Sequence, residues 1–182
     1  MSNLFIVNAL KKILPKINRK INRILIIGDR ISLNYNQLSK FFPNSQFFIA
    51  NKSKNILQSF KLDYKKQRNY TIQVIDIFDG LSLFNFTLKY GKFDIVIVSG
   101  LYTCNINKKK LRYSAKFLYK HLLQFHGIFC IENLTQDTKI NQSPILENKH
   151  PIISQTIETQ NSDRLIFFTV YLKKNPNLFL GD

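Results

Sequence analysis

The 182-residue chain sets 27 Lys and Arg against 11 Asp and Glu, a formal net charge of +16, and is 45% hydrophobic. That apolar share supports one core and one domain, and no apolar run reaches the length of a bilayer-crossing helix. Cys104 and Cys130 form no CxxC pair and His121, His126 and His150 have no metal-ligand spacing, which argues against a disulfide scaffold and a zinc site and for a reducing, intracellular setting, cytoplasmic or organellar.

From Met1 to Arg23 there is no acidic residue, and Leu10, Ile13, Leu14, Ile17 and Ile21 recur at helical spacing among lysines and arginines. Residues 1–22 are therefore expected as a basic amphipathic helix, kinked or split at Pro15. Three roles fit it: packing on a sheet, lying on a lipid surface, or targeting to an organelle.

Residues 23–182 are expected as a single domain. Arg23–Gly28 is a continuous apolar run closed by glycine, as in a buried strand. Helical periodicity from Ser32 to Phe42 stops at Pro43-Asn44. Gln46–Ala50 predicts the second strand, Lys54–Lys66 a helix, Thr71–Ile75 the third strand and Leu81–Lys89 a short helix. Phe93–Val98 predicts the fourth strand, Lys108–Phe125 a long helix and Ile128–Ile131 the fifth strand. Thr135–His150 is polar and weakly periodic, hence a loop. Ile152–Thr159 and Arg164–Lys173 flank the turn-forming Gln160-Asn-Ser-Asp163 and predict a hairpin. The expected fold is α/β: a Rossmann-like, seven-stranded, mostly parallel sheet with a C-terminal antiparallel hairpin and helices on both faces.

Ligands of such sheets sit beyond the carboxyl ends of the strands. Asp29, Asp76, Asp79 and Glu132 all fall at such ends, although the chain has only 11 acidic residues. That concentration points to a polar site, or to the remnant of one. Capping and turn formation are the ordinary alternatives for these aspartates.

This order of elements resembles the class I S-adenosylmethionine-dependent methyltransferases. Within them, Phe42-Pro-Asn-Ser-Gln-Phe-Phe-Ile49, Phe93-Asp-Ile-Val-Ile-Val-Ser-Gly100 and Gly127-Ile-Phe-Cys-Ile-Glu-Asn-Leu134 look most like the second, fourth and fifth strands of the metal-dependent macrocin- and mycinamicin-type sugar O-methyltransferases. The resemblance covers about Arg23 to Leu134 and implies S-adenosylmethionine as cofactor, with Gly28, Asp29, Asn51, Asp76, Asp79 and Ser99 as its binding residues.

The chain also departs from the pattern. The glycine-rich turn after the first strand is reduced to Gly28-Asp-Arg-Ile-Ser32. Asn51 stands where an acid normally holds the ribose, and Val98-Ser99 where the metal-dependent relatives have two aspartates. Glu132, with Asn133 and Ser99, makes a poor oxygen cage, so no bound magnesium is expected. Tyr102 and Glu132 are the least implausible general bases. The absence of GxGxxG after the first strand argues against a nicotinamide enzyme.

Lys108, Arg112, Lys116 and Lys120 recur every four residues and form a stripe suited to RNA or another phosphate-rich partner. A lysine-rich coding bias, visible also in the abundance of Asn, Ile, Phe and Tyr, yields the same stripe without function. Two functions are therefore carried forward. One is a divergent methyltransferase acting on a small hydroxylated molecule or RNA. The other is a catalytically inactive methyltransferase-like subunit binding RNA or protein in a ribonucleoprotein assembly.

Overall fold

Alternation decides the layering. In strand β1 (Arg23–Gly28), Ile24 and Ile26 are buried on one face of the sheet, and Leu25 and Ile27 on the other. A strand buried on both faces requires helices on both sides. The computed structural model describes residues 5–16, 20–100, 108–135, 146, 153–158 and 165–173.

After α1 (Phe5–Ile13) and β1, the chain runs through α2 (Ile31–Phe41), β2 (Gln46–Asn51), α3 (Lys54–Asp63), β3 (Tyr70–Val74), α4 (Gly80–Tyr90), β4 (Phe93–Ser99) and α5 (Lys108–Phe117). It then forms a π-helical turn (Leu118–Leu122), β5 (Leu123–Thr135), β6 (Ile153–Glu158) and β7 (Leu165–Leu172). The seven strands pair in the order β3-β2-β1-β4-β5-β7-β6. β1 to β5 are parallel, and β7 runs antiparallel to both β5 and β6. The connections change side once, after β3, so that α1, α2 and α3 share one core layer, and α4 and α5 the other.

The N-terminal helix is shorter than its periodicity suggests. It ends at Ile13 and tightens into a 3-10 turn at Leu14–Lys16, because Pro15 has no amide proton for a continued helix. Ile6, Val7, Leu10 and Ile13 are buried with Ile24, Ile26 and Leu38, so its apolar face packs on the sheet layer. Ile17 lies outside the described residues.

The helix expected over Lys108–Phe125 needs correction. It leaves α-geometry after Phe117, and Leu123–Phe125 already belong to β5. Leu123 pairs with Phe93, but the next pair is Ile128 with Ile95, so β5 carries extra residues against β4. The excess is absorbed at His126, whose φ is 58°, in a bulge. Lys173 holds this junction together: its Nζ donates to the carbonyls of Lys120 at 2.8 Å and Leu123 at 2.7 Å.

The amino edge of the sheet is fixed by Asp94, which accepts the backbone N–H groups of Asn22 at 2.8 Å and Arg23 at 2.9 Å. The Arg23 guanidinium lies 4.9 Å from the ring centres of both Phe48 and Phe93 and donates to the carbonyls of Tyr90 and Lys92. The carboxyl edge is left for a site. Among the described residues no helix is long and apolar enough to cross a membrane.

Candidate functional site

The turn after β1 decides the shape of the carboxyl edge. Gly28 pairs with Ser99 of β4 and has φ 119°, and a Cβ there would lie 1.7 Å from the Ser99 carbonyl oxygen. Only glycine fits so close an approach. The next residue keeps the contact, since the Asp29 amide donates to the Ser99 carbonyl at 3.1 Å. The ends of β1 and β4 are thus laced together at the point where strand order reverses.

Asn51 ties β2 into the same corner. Its Nδ2 donates to the Gly28 carbonyl at 2.6 Å and to Asp29 Oδ1 at 3.2 Å, while its Oδ1 accepts the Ser53 amide at 2.7 Å. With Asn51 only 4% exposed, the amide acts inward, as a clamp on the β1 turn. Asp29 is exposed, and it is the carboxylate that this clamp orients. An acidic group therefore stands beside the end of β2, although β2 itself ends in a neutral residue.

Ser99 is fully buried, and its hydroxyl accepts Asn34 Nδ2 at 2.7 Å. Asn34 had a signal in the sequence. It lies on the helix face that carries Ile31, Tyr35 and Leu38, and a lone amide on an apolar face needs an internal partner.

The two later aspartates serve the loop into α4. Asp79 is the N-cap of that helix and accepts the amides of Leu81 at 3.1 Å and Ser82 at 3.2 Å. Half-buried Asp76 accepts the Phe78 amide through Oδ1 at 2.9 Å, and its own amide donates to the Ser82 hydroxyl at 3.3 Å. Ser114 of α5 braces the same loop by donating to the Ile77 carbonyl at 2.6 Å.

The structure thus brings Gly28, Asp29, Asn51 and Ser99 into contact and sets Asp76 and Asp79 on the following loop. Tyr102 lies outside the described residues. Glu132 and Asn133 pair with Phe168 and Phe167 in the sheet, but their side chains are not among the described ones. Among the described residues no three His, Cys, Asp or Glu side chains are grouped as metal ligands would be. Of the basic stripe, Lys116 and Lys120 are exposed and Arg112 is half-buried; the Lys108 side chain is outside the described set. An open groove of about 400 Å³ between α3 and β3, lined by Lys54, Leu57, Lys61, Tyr70 and Ile72, flanks the sheet edge.

No family model and no curated protein matches this chain. Solved structures do. The N-methyltransferase NodS of Bradyrhizobium japonicum, in complex with S-adenosylhomocysteine, superposes with a TM-score of 0.66 at 11% identity, over 93% of this chain and 87% of that one. Precorrin-6y C5,15-methyltransferase of Geobacter metallireducens gives 0.58 at 16% identity, over 90% and 87%. The fibrillarin pre-rRNA processing protein of Methanococcus jannaschii gives 0.63 at 14% identity, over 86% and 69%. At these identities the likeness establishes the fold alone, an α/β Rossmann-like sheet with a C-terminal antiparallel hairpin that this chain shares with those proteins.

Proposed function

We propose that this chain is a divergent S-adenosylmethionine-dependent methyltransferase-like protein that binds its cofactor over the carboxyl ends of β1 and β2. One observation carries this reading: the exposed Asp29 carboxylate, oriented by Asn51, stands beside the end of β2. A carboxylate there accepts hydrogen bonds from both ribose hydroxyls of an adenosyl group, as a neutral amide already engaged at both ends does not. These carboxylate acceptors suit the adenosine half of the cofactor. By the family resemblance Asp76 would accept from the adenine amino group, and Gly28 keeps the turn free of side-chain atoms.

The bound cofactor would supply an electrophilic methyl group. The chain's task is then to align an acceptor with it and take up the acceptor proton. Tyr102 and Glu132 are the candidate bases. A small hydroxylated acceptor follows from the likeness to sugar O-methyltransferases, and an RNA acceptor from the positive charge. Free, buried Cys130 accords with a reducing, intracellular setting, cytoplasmic or organellar.

A second reading is favoured by the inward engagement of Asn51 and Ser99, and by the use of Asp79 as a helix cap. On this reading the fold has lost catalysis and serves as a binding subunit, with Arg112, Lys116 and Lys120 tracking phosphates of RNA or holding a protein partner in an assembly.

Calorimetric titration of S-adenosylhomocysteine separates the two. The first reading expects micromolar affinity, weakened at least about tenfold by Asp29→Ala, which removes charge-assisted hydrogen bonds. Absence of binding at millimolar ligand overturns it. Salt-dependent RNA binding lost on replacing Arg112, Lys116 and Lys120 would then establish the second.

A further inference from the structure

Helix α4 is apolar on the side that faces away from the protein. Leu83 and Phe86 pack into the core layer between helix and sheet, as a crossover helix must. On the opposite pole Leu81, Phe84 and Leu88, one above the other at i, i+3 and i+7, are 67%, 51% and 70% exposed. An isolated exposed leucine needs no explanation, but a continuous ridge of three large side chains does.

The surroundings of the ridge specify what covers it. α5 lies in the same layer as α4; it presents exposed Lys109 and Lys116, with Tyr113 64% exposed between them, and the π-helical turn that follows presents exposed Lys120. Exposed Lys89 and Lys92 follow the C-terminal end of the ridge. From Gly80 to Ile131 the sequence contains a single acidic residue, Asp94, and that one is buried at the amino edge. Exposed Asp79, the N-cap of α4, stands at the start of the ridge, so among the described residues the face combines an apolar ridge with an excess of positive charge over this one carboxylate.

We propose that the α4–α5 face docks on an anionic lipid bilayer, with Leu81, Phe84 and Leu88 entering the headgroup boundary and the α5 lysines reaching lipid phosphates. Three arguments select this occupant. A second copy of the chain, itself at +16, is repelled by the same charge. RNA would use the lysines and Tyr113 but leaves two leucines in water, since aliphatic side chains offer bases no stacking surface. A convex ridge needs a complementary groove on a protein partner, whereas a bilayer deforms around it. Apolar insertion beside lysines is the arrangement by which peripheral proteins hold to anionic membranes. This inference is independent of the cofactor reading, which concerns the carboxyl edge of the sheet.

The test is co-sedimentation of the full chain with phosphatidylcholine vesicles containing phosphatidylserine, against phosphatidylcholine alone, at physiological salt. Binding is expected only with the anionic lipid. Joint replacement Phe84→Ser and Leu88→Ser should weaken it at least about tenfold. Lys109→Gln, Lys116→Gln and Lys120→Gln together should weaken it on the order of a hundredfold. These positions are exposed, and unchanged thermal unfolding verifies that each variant is folded. The chain has no tryptophan, so Phe84→Trp supplies a single reporter at the ridge. Its emission should shift to the blue, and brominated lipid should quench it. Failure to bind the anionic vesicles overturns the proposal, as does binding that survives loss of Phe84 and Leu88 with an unshifted, unquenched indole. An α5 surface that takes RNA while ignoring vesicles assigns the lysines to RNA instead.

Discussion

Asn34 Nδ2 donates to Ser99 Oγ across 2.7 Å with both residues sealed from solvent, joining the first turn of α2 to the last residue of β4. Ser99 is thereby committed to supporting the β1 turn from below, and its hydroxyl supports the site without facing it. A buried amide stripped of its partner bears its desolvation cost alone. Ser99→Ala should therefore lower the unfolding free energy by about 1–3 kcal/mol in urea titration. Joint replacement by Asn34→Leu and Ser99→Ala should be less damaging than the sum of the single changes, because no polar group is then left without a partner.

Gly28 and Gly80 predict opposite responses to the same change. Alanine at Gly28 would put a Cβ 1.7 Å from the Ser99 carbonyl oxygen at φ 119°, so backbone strain of about 1–3 kcal/mol adds to a direct overlap. A Cβ at Gly80 meets nothing within 4 Å, and the residue begins α4. Gly80→Ala should stabilise by about 0.4–1 kcal/mol through the unfolded chain. Denaturant midpoints moving in the same direction for both variants would contradict the geometry.

The fold was legible where burial was two-sided. β1, β2 and β4 are continuous apolar runs, and each stands within a residue of its expected span. The error at Leu123–Phe125 has a physical cause. These residues continue the helical apolar spacing, and only pairing with Phe93 and the bulge at His126 make them strand. The location of the candidate site was equally legible, because strand ends mark it. The roles within it were not. Asn51 clamps Gly28 across 23 residues of sequence, and Ser99 meets Asn34 across 65. Such pairs leave no local pattern. Asp79 did leave one, since an aspartate immediately before a helix is a cap by its position alone.

Cys130 sits in the middle of β5, wholly buried, and burial pushes its thiol well above the ordinary range. The thiolate is the reactive species, so the native protein should shield this cysteine from alkylation at neutral pH. Peptide mapping after iodoacetamide treatment should find Cys130 unmodified in native protein and modified after unfolding. Rapid native labelling at that position would contradict a two-sided core around β5.

Lys173 gives the fold a pH dependence of definite sign. Its ammonium is buried at the end of the π-helical turn, and loss of water, followed by repulsion from Lys92, brings its pKa from 10.5 down to about 8. Between these values the unfolded chain keeps a proton that the folded chain has released. Unfolding then takes up a proton, and stability rises with pH. Below about pH 8 both states are protonated and the penalty of burying the charge applies in full; above 10.5 it has gone. Unfolding free energies measured from neutral pH to 10.5 should therefore increase more steeply in the parent than in Lys173→Met, which lacks the titrating group. Lys92→Gln should shift the rise to higher pH by removing the repelling charge, while the hydrogen bonds to Lys120 and Leu123 remain. Identical pH profiles for the parent and Lys173→Met would mean that the two carbonyl acceptors stabilise the ammonium enough to cancel its desolvation.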